Sequence, residues 1–216
     1  MTNISFWVTP GEIVGYLGHN GSGKTTTLRV MSNMVRPTAG TIRIGDLDHR
    51  ADERAFKQRV SVVNDYHNAY QNLTVKEVLA FAAHFQPGWD ERWCVQVCKG
   101  LRLPLEAKIR TLSKGMHTKL GIVMGLSPRP QFLVLDEPTA GMDQMSSEWI
   151  WAVIRAWVDR GDLGVLVASH SLSEIVDQCS RVVLLEQGHI ADQFYLEGSE
   201  DKVADLAIVL KEATDA

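Results

Sequence analysis

Two short stretches carry residue types that could do chemistry. The first, Gly18 to Thr25, reads GHNGSGKT: three glycines set around a lysine and a hydroxyl. Glycines let a backbone turn successive N–H groups toward one point, so Gly18, His19, Asn20, Gly21, Ser22 and Gly23 can form a cradle for phosphate oxygens. Lys24 is placed to meet the β- and γ-phosphates of a nucleotide, and Thr25 to offer its hydroxyl to Mg2+. The second stretch, Phe132 to Pro138, reads FLVLDEP, an apolar run ending in two carboxylates. Asp136 suits a metal ion, directly or through water. Glu137 can accept a proton from an attacking water, which is what phosphoryl transfer to water asks of a side chain.

Such residues need particular elements to hold them. A phosphate loop works between a strand and a helix, because the helix N-terminus adds positive potential at the anion. EIVGYL (12–17) reads as that strand and 24–34 as that helix. The helix opens with KTTTL, a poor start on propensity because three successive β-branched residues lose side-chain freedom there. A bound phosphate gives those residues a reason to be present. Further β-rich runs fall at 41–44, 60–63, 132–136, 164–169 and 181–186, several of them nearly all apolar. That pattern suits strands covered by helices on both faces.

Helical patterns cover 75–85, 90–99, 114–126, 146–159 and 171–179. Strands and helices alternate near both ends, while about 73–126 reads as helix after helix. The expectation is an α/β fold in which one domain, 1–216, carries a helical insertion over 73–126. One stretch of the insertion is odd. In LSKGMHTKLG, Ser113 is a good N-cap, yet a glycine sits in the first turn and a lysine where the helix dipole prefers acids.

Composition narrows the function classes. At 45% hydrophobic and 22% charged, the 216 residues fit an ordinary globular unit. A net charge of -4 offers no overall basic surface, so a nucleic-acid partner is not expected. Cys94, Cys98 and Cys179 are odd in number, and two lie four apart in a helical pattern. They read as reduced packing residues rather than a disulfide frame or zinc site. No signal segment is visible at the N-terminus, and no run of 18 apolar residues is free of charge. A membrane role would therefore come through a partner.

Taken together, GHNGSGKTTTLRVM, LSKGM, LVLDEPTAGMD and LVASHSLSEI resemble the ATP-binding subunits of ABC transporters in order and spacing. The resemblance runs from about residue 4 to residue 188. No N-K-x-D guanine-reading motif occurs, which disfavours a GTPase. The resemblance implies a RecA-like phosphate-loop NTPase core, ATP and Mg2+ as ligands, and ATP hydrolysis. By the same resemblance Gly18 to Thr25 match the Walker A loop, with Thr26 also near the phosphates. Asp136 matches the magnesium ligand, Glu137 the catalytic base, Asp143 the aspartate that communicates between two sites of a dimer, and His170 the switch histidine at the γ-phosphate. Ser113 and Gly115 match the signature residues that reach the nucleotide of a second subunit.

Three departures accompany the resemblance. Counting back from NLTV puts Asp65 where the family usually has a glutamine that senses Mg2+. The aromatic residue that family members carry upstream to stack on adenine has no counterpart; Phe6 and Trp7 read as packing residues. The signature, usually LSGGQ, is written LSKGM, and a lysine in its third place is similar to ATPases of bacterial export-type permeases. The stretch NLTVKEVLAFAAHFQPGWDERW also looks like ATPases of the Ytr type.

The family mechanism implies head-to-tail pairing with a second ATPase subunit, identical or not, and docking of 73–126 and the Asp65 loop on a transmembrane permease. Phe81, Phe85, Trp89 and Trp93 divide between core and docking face. The implied location is cytoplasmic, peripheral at the inner face of the cell membrane. Two alternatives stand beside an exporter ATPase. A soluble ABC ATPase acting on DNA or ribosomes would usually carry a coiled-coil insertion or a second nucleotide domain, and neither occurs. A hydrolysis-impaired regulatory subunit is suggested by Asp65 and the missing aromatic, against Glu137 and His170.

Overall fold

All five residues of β1 (Ile13–Leu17) are buried, as an apolar strand covered on both faces must be. In the computed structural model of the chain, which describes residues 3–64 and 70–196, this strand is central. It leads through the glycine loop into α1 (Lys24–Met31). The helix stops short of the expected residue 34 because Asn33 adopts a left-handed φ of 55°, a conformation asparagine tolerates at helix ends. A small antiparallel pair follows, β2 (Arg43–Ile44) and β3 (Leu47–Asp48), then α2 (Glu53–Arg59) and β4 (Val60–Val63).

Three helices come next without an intervening named strand: α3 (Val75–Phe85), α4 (Glu91–Gly100) and α5 (Lys114–Leu126). Each has a side-chain cap. Thr74 and Glu77 form a full capping box at α3, and Asp90 and Ser113 accept from the third backbone N–H of α4 and α5. The chain then alternates through β5 (Phe132–Asp136), α6 (Gln144–Val158), β6 (Gly164–Ala168), α7 (Leu172–Gln178), β7 (Arg181–Glu186) and β8 (His189–Tyr195).

The main sheet runs β4-β5-β6-β1-β7-β8, parallel except for the final pair. Alternate residues of its strands feed two hydrophobic layers. Leu133, Leu135, Val165 and Val167 join one cluster with Val78 of α3, Ile122 of α5 and Ile154 of α6. Val134, Leu166 and Ala168 join the other with Leu28 of α1. The helical stretch therefore shares a core with the sheet. Cys94, Cys98 and Cys179 are buried and free, as their spacing suggested.

The two-residue β3, α2 and β8 went unanticipated. α2 buries only Phe56, and β8 has no fully buried residue, so neither carries a strong apolar period. Antiparallel pairing to β7 holds β8 in place.

Candidate functional site

Because β5, β6 and β1 are adjacent and parallel, the three segments leaving their carboxyl ends converge on one edge of the sheet. These segments are the glycine loop after β1, Asp136 and Glu137 at the end of β5, and Ser169 and His170 after β6. The strands thus bring together residues 18, 137 and 170, which lie far apart in sequence.

The glycine loop is built for close approach. A Cβ at Gly18 would collide with the backbone carbonyl of Leu185 and stand 2.6 Å from Ser22 Oγ. The Gly188 N–H donates to the Ser22 carbonyl at 3.0 Å, so the turn between β7 and β8 props the loop from behind. Lys24 Nζ donates to the carbonyls of Gly18 and, at 3.1 Å, His19, which folds the lysine back over the loop. Partial burial pulls the Lys24 pKa down, and the charges of Glu137 and Asp136 push it back up. Its ammonium therefore lies in the field of both carboxylates. Thr25 and Thr26 are exposed at the start of α1, while Thr27 is buried and accepts from the Tyr16 hydroxyl at 3.0 Å. A helix N-terminus, a glycine cradle and an inward lysine fit a polyphosphate. Asp136 with Thr25 fits a hard cation that keeps oxygen ligands.

Glu137 carries backbone strain. Its φ of 53° is left-handed, which costs a non-glycine residue roughly 1–2 kcal/mol, and Pro138 follows it. Its N–H donates to Ala168 O at 2.8 Å, which fixes the end of β5 to β6. Its carboxylate accepts the backbone N–H of His170 at 2.9 Å, and His170 Nε2 lies 3.7 Å from the same oxygen. Burial raises the Glu137 pKa, the nearby His170 lowers it, and Asp136 and Glu174 raise it further. The net shift is upward, the direction that suits a proton acceptor working near neutrality.

Ser113, Gly115 and Asp143 form a second group. Ser113 is exposed and its Oγ accepts from Met116 N at 3.3 Å. Gly115 is buried, and a Cβ there would stand 2.9 Å from the Gly141 carbonyl. The glycine in the first turn of α5 is thus required by a neighbouring loop of the same chain. Asp143 caps α6 through Ser146, whose N–H and hydroxyl donate to it at 2.9 and 2.6 Å; these bonds hold its pKa down. Lys119, not anticipated from sequence, lies 3.8 Å from Asp143. Asp65 falls outside the described residues.

The aromatic residues of the helical stretch divide cleanly. Trp89 and Trp93 pack against the core, Trp93 edge-on to Trp157 at 5.6 Å. Phe81 and Phe85 are 43% and 64% exposed, and with Tyr70 they form a surface row with ring centroids 5.1 and 4.9 Å apart. Phe6 stacks on Tyr16 at 5.4 Å, and Trp7 lies under the Arg181 guanidinium. Phe6 packs against the core as expected, whereas Trp7 is 62% exposed and touches the fold mainly through that guanidinium, so it is not the packing residue the sequence suggested.

The family model described as ABC transporter matches residues 1–140. The chain belongs to the ABC transporter family. Among its relatives, the ABC transporter ATP-binding protein YdbJ of Bacillus subtilis is 33% identical over 211 residues, covering 97% of this chain and 68% of that protein. The Nod factor export ATP-binding protein I of Paraburkholderia xenovorans is 34% identical over 196 residues, covering 86% of this chain and 62% of the relative. The chain thus spans about two thirds of the length of these relatives. The fold matches a solved ATP-binding subunit of an ABC transporter with a TM-score of 0.85 at 24% identity, covering 95% of this chain and 92% of that one. A dimeric ATP-binding cassette in a post-hydrolysis state, bound to ADP and Pi, matches with a TM-score of 0.79 at 23% identity, covering 91% and 90%. Membership makes ATP the nucleotide of this ABC chain. Among its described residues, no helix is long and apolar enough to cross a membrane.

Sequence reasoning missed one carboxylate beside the site. Glu174 accepts hydrogen bonds from the Thr139 hydroxyl (2.5 Å), the Trp151 indole (3.0 Å) and the Ser169 hydroxyl (2.5 Å). It sits three residues after the N-cap Ser171, a spacing that reads as half of a capping box and hides any other use.

Proposed function

We propose that this ABC chain hydrolyses ATP at a site shared with a second subunit and so drives a membrane permease that exports its cargo. The observation that carries the reading is the convergence of Lys24, Glu137 and His170 at the carboxyl edge of β1, β5 and β6. Glu137 is the general base: its oxygen lies beside His170, and its raised pKa keeps it ready to take a proton from water. Lys24 and the N–H groups of the loop from Gly18 to Gly23 hold the terminal phosphates. Thr25 and Asp136 would hold Mg2+, which supplies positive charge at the phosphate oxygens when bound. His170 orients the water and the γ-phosphate, and Thr26 lines the same loop. Asp65 is the remaining candidate to sense the metal.

Ser113 and Gly115 serve the nucleotide of the second subunit. Ser113 is exposed at the N-terminus of α5, and Lys114, unfavourable beside bare helix N–H groups, becomes favourable once a polyanion sits there. Asp143 faces the same junction. The exposed row of Tyr70, Phe81 and Phe85 is the docking face for the permease, an apolar patch of the kind that marks partner sites. Export is the direction favoured by the Nod factor export relative and by the lysine of LSKGM. The protein would then sit peripherally at the inner face of the cell membrane.

Complementation tests the shared site. Lys24→Ala breaks the phosphate loop of its own chain, and Ser113→Ala breaks the signature offered to the other. In a mixture, heterodimers regain one intact site, so phosphate release should exceed that of either variant alone. A mixture no more active than its components contradicts the shared-site reading.

A further inference from the structure

We infer that Glu174 is a positioning residue that ties the His170 loop and the Pro138–Asp143 loop into one rigid unit. The inference rests on the proposed hydrolysis for its kinetic consequence and on the hydrogen bonds alone for its structural one.

The motif S-x-x-E from Ser171 to Glu174 has the form of a capping box, and at Thr74 and Glu77 of the same chain the equivalent T-x-x-E behaves as one: Glu77 returns to the Thr74 N–H at 2.7 Å. Glu174 does not return. The N–H of Ser171 donates instead to Ser169 Oγ at 3.1 Å, which leaves the Glu174 carboxylate available elsewhere. Both oxygens are used. Oε2 accepts from Ser169, which precedes His170, and Oε1 accepts from Thr139, two residues after Glu137, and from the buried Trp151 of α6. One carboxylate thus gathers both residues flanking His170, one directly and one through Ser169. It also holds the loop that carries Glu137 into Gly141 and Asp143.

Hydrogen bonds to a charged acceptor are roughly twice as strong as neutral ones, so three converging donors suit a part that must not move. The two loops it joins have different duties. His170 belongs to the phosphate edge of the sheet, whereas Gly141 presses on Gly115 and Asp143 lies beside Lys119. Glu174 is the link between the segment carrying the base and switch and the segment abutting the signature helix.

The test uses the full chain with its membrane partner and the variants Glu174→Gln and Glu174→Ala. Glutamine keeps the shape but loses the negative charge that strengthens all three hydrogen bonds, and the Ser169 hydroxyl must turn from donor to acceptor to meet its NH2, so it should not restore wild-type behaviour. A displacement of about 1 Å in a reacting constellation can cost about 10²-fold in rate. Both variants should lose roughly 10- to 100-fold in kcat, with ATP affinity, measured by direct binding, held within about twofold because no phosphate contact is removed. Amide hydrogen exchange supplies a readout independent of turnover. The amides of 139–142 and 169–171 should lose protection together in both variants, while those of 18–25 keep theirs. Unchanged kcat in an active wild-type background, or deprotection of one loop without the other, overturns the proposal. If the wild type releases no phosphate while both variants show the paired loss of protection, hydrolysis is refuted and the positioning role stands.

Discussion

Gly115→Ala sets two effects of known size against each other. Gly115 is helical, and alanine is favoured over glycine in a helix by about 1 kcal/mol. Were the position open, the substitution would stabilise the chain. The structure places the new Cβ 2.9 Å from the Gly141 carbonyl, whereas ordinary contacts begin near 3.4 Å. About half an ångström must be absorbed, and the obstacle is backbone in a left-handed turn, Gly141 having a φ of 77°. Overpacking of this kind costs roughly 1–3 kcal/mol. The balance is a loss of about 0–2 kcal/mol in place of a gain of about 1. Urea unfolding of the purified chain measures it. The displaced loop carries Asp143, so phosphate release with the membrane partner should fall as well. A variant stabilised by about 1 kcal/mol with full activity would show that Gly141 does not rest on α5, and the intramolecular reason for this glycine would be wrong.

Other expectations follow from equally local features. Arg181 is 1% exposed and donates to Glu12, Gln193 and the Trp7 carbonyl; Arg181→Met strands a largely buried carboxylate and should cost about 3–5 kcal/mol in urea unfolding, a cost below about 1 arguing against that network. Glu137 has a raised folded pKa, so the fold disfavours its ionised form: its contribution is fully present below the unfolded pKa and is lost as pH rises through the folded one. Wild type should therefore lose stability relative to Glu137→Gln as pH rises past the ordinary carboxylate range, and parallel stability curves would contradict the burial. Phe85, 64% exposed, should tolerate serine within about 0.5 kcal/mol of stability, yet Phe85→Ser should reduce co-purification with a multispanning membrane protein from detergent extracts; undiminished recovery removes Phe85 from the docking face.

The sequence was most informative where chemistry and geometry coincide. GHNGSGKT between an apolar strand and a helix, and FLVLDEP with its terminal carboxylates, locate two of the three converging segments because a parallel sheet leaves few places for such ends to go. It was least informative where contacts are distant or amphipathicity is faint. α2 and β8 bury too little to show a period. Gly115 looks like a helix defect until Gly141 is seen against it. Glu174 looks like a cap because the spacing of a capping box is local, whereas its actual donors, Thr139 and Trp151, lie 35 and 23 residues away. Trp89, Trp93, Phe81 and Phe85 are alike in sequence, and only the packing of α3, α4 and α6 divides them between core and surface.

The central claim is that Glu137 activates water against ATP held by the phosphate loop. Its most direct test is Mg-ATP binding and phosphate release by wild type and Glu137→Gln, each assembled with the membrane partner. The account predicts that the variant binds Mg-ATP as wild type does and releases phosphate about 10²- to 10⁴-fold more slowly. Near-normal turnover by Glu137→Gln would contradict it.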